Sequence, residues 1–179
     1  MQMRYFKYRD EESPIGDGTR YIETDEGWSV REVTFVNGTY LGSNVKYPLW
    51  GLCLSDAHFD YEELLADEPS EFEIQEISKL DFEQVWTEHL AQNEKSWRAA
   101  KSAFPVGTQV RGRITIFYPQ GAIVDLGDSV LGVANYEACK VSTGNDSLST
   151  QHFISAVVAH FDEQNQWLVL DEPKVERKK

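Results

Sequence analysis

Pro105-Val106-Gly107-Thr108-Gln109-Val110-Arg111-Gly112-Arg113-Ile114-Thr115, then Gly121-Ala122-Ile123-Val124-Asp125-Leu126-Gly127, then Leu131-Gly132-Val133, form three β-prone runs punctuated by glycine. Two further apolar runs, Ile154–His160 and Trp167–Leu170, follow downstream. The strands expected are Gln109–Phe117, Ala122–Leu126, Val130–Ala134, Ile154–His160 and Trp167–Leu170. Five short strands at this spacing suit a small barrel over 104–172. Gly112 falls inside a strand, where glycine marks a bulge or a close approach of backbone. The charged run Lys174–Lys179, within a tail of 173–179, is expected to fray.

Working upstream, Phe104-Pro105 ends a helix, because the residue before proline is pushed out of the α region. Ser78 and Asp81 resemble a capping box at its start. Phe82, Val85, Trp86, His89, Leu90, Asn93 and Trp97 then recur with a period near 3.6, predicting a helix over 80–103. Further upstream lie strand-like runs: Arg4–Arg9, Thr19–Glu23, Trp28–Val36, Thr39–Leu41 and Leu49–Leu54. Asn37-Gly38 between two of them is a strong hairpin signal, since a type I′ turn needs positive φ at both central residues. The fold class expected is α+β. Residues 1–103 form an antiparallel sheet with a long helix, and a barrel follows.

At 179 residues, with 41% hydrophobic and 12% aromatic side chains, the chain can bury a core for one domain or two small ones. It carries 30 acidic and 17 basic residues, a formal charge of −13. That excludes a surface gripping nucleic acid or anionic membrane by bulk positive charge. The excess is local. Residues 1–103 hold 21 acids and 10 bases, and 104–179 hold 9 and 7. The window 56–94 holds 13 acids against Lys79 alone.

The N-terminus MQMRYFKYRDEES has charges where a signal peptide has its apolar run. No apolar stretch nears the roughly 20 residues of a membrane span. Cys53 and Cys139 form no disulfide framework. A cytoplasmic location follows as an expectation, with the two Asn-x-Ser/Thr sequons at Asn37 and Asn145 unused.

The runs quoted first, with Leu131-Gly132-Val133, resemble the S-one type RNA-binding domain, an OB-fold module named after a large ribosomal protein. The resemblance covers about 35 residues closely, through its VG..V.G.V, GA.VDLG and GLV pattern. It implies an OB barrel that binds single-stranded RNA by stacking bases on rings. At the family's ring positions this sequence has Gln120, Ile123 and Asn135, so the barrel signature is kept and the stacking platform is lost. Tyr118 lies near that platform, while Phe117 falls at a core position of the family. Arg111 and Arg113 have the charge to touch phosphate. Alternating charges on one strand also solvate a sheet face.

The first unit is similar to a group of small uncharacterised bacterial domains, some found among immunity-type genes of polymorphic toxin systems. Residues 21–33, YIETDEGWSVREV, and 76–86, EISKLDFEQVW, carry that similarity. No catalytic residues come with it.

The residues themselves show no chemistry-bearing constellation. His58, His89, His152 and His160 have no metal-ligand spacing with one another or with cysteine. His89 sits on the helix's apolar face, as a core histidine does. Cys53 and Cys139 read as small buried hydrophobes. The sequence lacks a phosphate loop, a dinucleotide fingerprint and a nucleophile elbow. No enzyme activity, metal or cofactor is expected.

Two binding readings remain. The first is an acidic module neutralising a basic protein, such as a toxin, through Asp60, Glu62, Glu63, Asp67, Glu68, Glu71 and Glu73. Tyr61 and Phe72 would be its aromatic anchors. The second is RNA binding by the barrel through Arg111, Arg113, Tyr118, Gln120, Ile123 and Asn135.

Overall fold

The computed structural model describes residues 2–11, 16–55, 58, 60–66, 73–144 and 146–176, with Tyr61 and Leu64 described by backbone alone. The chain divides into two compact units, Met1–Gln92 and Asn93–Lys179.

The first unit is a five-stranded antiparallel sheet. Its strands are β1 (Met3–Asp10), β2 (Gly18–Asp25), β3 (Trp28–Val36), β4 (Thr39–Gly42) and β5 (Gln75–Glu76). They lie in the order β4-β3-β2-β1-β5. Asn37 and Gly38 adopt φ of 51° and 78°, as the β3–β4 turn requires. Before β5 comes a short helix, α1 (Tyr61–Ala66), which no pattern in the sequence announced. Leu49–Leu54 is not a strand. Tyr47 and Gly51 instead form an isolated bridge around a tight turn, with Gly51 at φ 71°.

Helix α2 (Lys79–Ala103) starts at the expected capping box. The Ser78 amide donates to the Asp81 carboxylate at 3.2 Å, and the Asp81 amide donates to Ser78 Oγ at 3.1 Å. The division between the units falls inside this helix. Its Phe82 and Trp86 pack with Tyr5 and Val33 on one face of the sheet. That face also carries a buried charge group. Arg31 donates to Glu23 from Nη2 at 3.0 Å and to Glu83 at 2.6 Å. Its guanidinium lies 4.9 Å and 5.1 Å from the Phe82 and Trp86 ring centres.

Period-two alternation sends the neighbouring residues to the other face. The registers Phe6↔Ile22, Tyr8↔Arg20, Ile22↔Glu32 and Arg20↔Thr34 place these side chains together there. Phe6, Ile22, Asp10 and Glu32 are all buried. The segment after β4 covers part of this face, with the Ser55 amide donating to Glu32 Oε1 at 2.8 Å.

The second unit contains β6 (Gln109–Tyr118), β7 (Gly121–Asp125), β8 (Leu131–Ala134), β9 (Phe153–Asp162) and β10 (Trp167–Val175). They close into a ring in the order β10-β8-β7-β6-β9, with β9 pairing back onto β10. All pairs are antiparallel except β10 with β8. Along β6, Val110, Gly112 and Ile114 face the core, and Gln109, Arg111 and Arg113 face outward. Gly112 is a close-approach position: a Cβ there would meet the Asp125 carbonyl oxygen and the Val124 side chain at 2.6 Å. The core gathers Ile114, Ala122, Val124, Ile154, Val158 and Leu168 with Trp97 and Ala100 of α2.

A helix between β8 and β9 went unseen in the sequence: α3 (Tyr136–Thr143), which contributes buried Cys139. The expected fraying is corrected for 174–176, because β10 continues to Val175 and the Glu176 amide donates to the Phe153 carbonyl at 2.8 Å; residues 177–179 lie outside the described residues. No described helix is long and apolar enough to cross a membrane.

Candidate functional site

The whole formal charge excess belongs to the first unit. Residues 1–92 hold 20 acids and seven bases, whereas 93–179 hold ten of each.

The acidic window is not simply a row of solvated carboxylates. Asp60 caps α1, accepting from the Glu63 amide at 3.2 Å. Glu62 and Glu76 both accept from Arg4, at 2.7 Å and 3.0 Å. The Arg4 guanidinium holds Glu76 below its ordinary carboxylate range. Asp81 serves as a cap, and its hydrogen bonds with Ser78 likewise hold its pKa down. Glu83 meets Arg31. Glu88 accepts from the Tyr40 hydroxyl, a bond that lowers the Glu88 pKa and pushes Tyr40 up to about 12. Glu94 pairs with Arg98 at 2.8 Å.

Of the residues assigned to protein binding, Asp60, Glu62, Glu63 and Glu73 are exposed. Asp67, Glu68, Glu71, Phe72 and the side chain of Tyr61 lie outside the described residues. The structure supplies an aromatic not singled out from the sequence. Trp28 is 52% exposed at the start of β3. It bridges to His58, and the two rings meet edge-on at 5.1 Å. His58 Nε2 lies 2.9 Å from the Glu26 carbonyl oxygen. Asp25 and Glu26 precede Trp28, and Asp60 follows His58 by two positions. An exposed tryptophan beside acids is a known kind of interface anchor.

On the sheet face opposite α2 lies a small pocket of about 170 Å³, lined by Asp10, Arg20, Glu32, Tyr47, Trp50 and Cys53 among others. Arg20 donates to Asp10 at 2.7 Å and lies 3.6 Å from Glu32. Tyr47 and Trp50 stack at 5.3 Å with planes 24° apart. Burial pushes the Tyr47 phenol up to about 12. Cys53 is exposed at this pocket, which corrects its expected burial; Cys139 is buried as expected.

The residues assigned to RNA binding differ in exposure. Ile123 is fully buried and is unavailable to a ligand. Tyr118 is buried as well, 6.3 Å from the Trp167 ring. Gln120 is half-buried. Asn135 is the N-cap of α3, its Oδ1 accepting from the Ala138 amide at 2.9 Å. Arg111 and Arg113 do share an outward face. Arg111 donates twice to Glu176, at 2.6 Å and 2.7 Å, and lies 4.2 Å over the Phe153 ring. Arg113 donates to Gln151 at 3.0 Å. Among the described residues, no group of three or more His, Cys, Asp or Glu is placed to hold a metal ion.

No protein-family model and no curated protein matches the chain.

Proposed function

We propose that the protein is a non-enzymatic, acidic binding protein that neutralises a basic protein partner in the cytoplasm, in the manner of a bacterial toxin immunity protein. The observation that carries this reading is the segregation of charge: the full excess of −13 sits in residues 1–92. Such a surface steers a basic partner and speeds its association at low salt. Asp60, Glu62, Glu63 and Glu73 are its exposed acids, and Asp67, Glu68 and Glu71 extend the same acidic segment. Exposed Trp28 is its anchor.

The ring is read as an OB barrel. Its neighbour order, its single parallel pair and a helix between its third and fourth strands support that reading. In this proposal the barrel accompanies the docking unit without reading RNA, since fold does not fix function.

The test is capture from a host lysate by the wild-type chain and by two variants. One variant carries Glu62→Gln, Glu63→Gln and Glu73→Gln; the other carries Trp28→Ala. A basic protein retained by the wild type, released by salt and weakened by both variants is expected. A captured protein that is neutral or acidic, or equal retention by all three chains, would overturn the reading.

One arrangement favours RNA as a second reading: Arg111 stacked on half-exposed Phe153 with Arg113 two residues away. It requires single-stranded RNA to bind with a steep salt dependence and to weaken with Arg111→Ala. Unchanged anisotropy of a labelled oligonucleotide at low salt would remove it.

A further inference from the structure

β4 is the outer strand of the first sheet, with β3 as its one neighbour in the strand order. The two-residue loop Asn37-Gly38 sets Val36 opposite Thr39. Thr39 and Leu41 therefore turn their backbone groups to β3, and Tyr40 and Gly42 turn theirs outward. An outward row of backbone groups is a template for another strand. Here the row is occupied from within the unit. The Tyr40 amide donates to Gln92 Oε1 at 3.0 Å, and the Gly42 amide donates to the Tyr47 hydroxyl oxygen at 2.8 Å. The Gly42 carbonyl accepts from the Val45 amide at 3.3 Å.

Both side chains are held in place for this. Gln92 lies one turn after Glu88 on α2, and Glu88 accepts from the Tyr40 hydroxyl. One face of the helix thus grips Tyr40 by its side chain and by its backbone. Tyr47 is fixed by two backbone bonds with Gly51, each 2.8 Å, and by its stack on Trp50. Water satisfies an exposed amide nearly as well as a side chain does. Water also leaves when a second strand approaches, whereas a tethered side chain has to be displaced. This edge has reason to be covered. Thr39-Tyr40-Leu41 is a β-prone run, and Phe35, whose ring lies 4.7 Å from that of Tyr40, is 38% exposed. The charge of −13 keeps copies apart only where salt is low.

We propose that Gln92 and Tyr47 seal the β4 edge and keep the first sheet from pairing with that of a second copy of this chain. The unit then meets other molecules singly, whatever partner it docks. With both seals removed, the two outward amides are free and β4 of one copy pairs with β4 of another.

The experiment compares three full chains: wild type, Gln92→Glu, and the double variant Gln92→Ala with Tyr47→Phe. Sedimentation velocity at about 0.5 M NaCl and about 200 μM chain reads the mass. Gln92→Glu keeps an acceptor for the Tyr40 amide, and Tyr47→Phe keeps a ring against Trp50; tryptophan fluorescence checks that all three are folded. Wild type and Gln92→Glu are expected to be monomeric, with the double variant associating at least about tenfold more tightly. Amide exchange locates the contact, and protection gained with concentration at Tyr40 and Gly42 is expected. If the double variant fails to fold, Gln92→Ala alone, at an exposed position, decides the matter by the same two readings. A folded, unsealed chain that stays monomeric, or a wild type that already pairs through β4, would overturn the proposal. So would association of Gln92→Glu equal to that of the unsealed chain, or protection gained elsewhere and not at β4.

Discussion

Lowering the pH from 7.5 to 5 is expected to cost the first unit about 2 kcal/mol through His89 alone. His89 is fully buried, with Nε2 2.7 Å from Asn44 Oδ1 and its ring 5.5 Å from Trp86. Burial pushes its pKa from 6.5 down to about 4, against a smaller opposing hydrogen bond to the Tyr40 backbone. The imidazolium is therefore disfavoured in the folded unit and free to form in the unfolded chain. Stability is complete above pH 6.5, falls as the pH drops below it, and levels off below about 4. Within that window the slope is about 1.4 kcal/mol per pH unit, so the 1.5 units from 6.5 to 5 account for the loss. Glu76 and Glu88, whose pKa values are lowered, give up their contributions only as the pH passes below the ordinary carboxylate value. The assay is urea unfolding followed by tryptophan fluorescence at pH 7.5, 6 and 5. His89→Gln keeps an amide donor for Asn44 but has no proton to gain. Its stability should be lower at pH 7.5 and nearly flat down to 5. Parallel pH profiles for the two chains, or an NMR titration of His89 near 6.5, would refute the reasoning.

Gly112→Ala should destabilise the ring by roughly 1–3 kcal/mol, because its Cβ would press on the Asp125 carbonyl at 2.6 Å; an unchanged urea midpoint would count against the closeness of that packing. Arg31→Met leaves the buried Glu23 carboxylate unpaired and should cost about 3–5 kcal/mol, with adding Glu23→Gln recovering part of it in denaturant melts. Asn135→Ala removes the α3 cap and should cost about 1 kcal/mol, seen as faster amide exchange over 136–139. Ser78→Ala breaks the capping box and should cost about as much at the start of α2.

Local rules were strongest where one short-range cause sufficed. Trp28–Val36 reads as a strand at its observed limits, and Ser78 with Asp81 marks the start of α2. Glycine punctuation located β6, β7 and β8, and apolar runs located β9 and the first part of β10, which continues five residues beyond the expected Leu170. The apolar content of Leu49–Leu54 suggests a strand, but Pro48 and Gly51 turn the chain there. The signal for α3 was present: Asn135 at the cap and Gly144 after its end, at φ 70°. Asn135 falls at a ligand position of the resembled family, and in the structure it caps α3 instead. Ile123, opposite Ile116 and Val133, is fully buried although its neighbours Ala122 and Val124 are the ones that enter the ring core.

The pocket was illegible for a different reason. Tyr8, Asp10, Arg20, Glu32 and Thr34 alternate as polar residues on a solvent face would. The distant segment after β4 lays Ser55 against Glu32 and brings Tyr47, Trp50 and Cys53 beside Asp10 and Arg20. A pattern of period two reports which side chains share a face and says nothing about what later covers it.

Ring closure has a consequence for synthesis. The pair that completes it joins Leu168–Leu170 to Gly132–Ala134, and β9 meets β10 only through residues up to Val175. While the ribosome is still making 131–166, β8 presents an unpaired edge and the apolar residues of β6 and β7 lack their last neighbour. The first sheet has no such delay in its β1–β4 meander, where each strand meets the one made before it. A nascent chain stalled before β10 is thus the state in which this protein is most exposed to chaperones, proteases and mispairing.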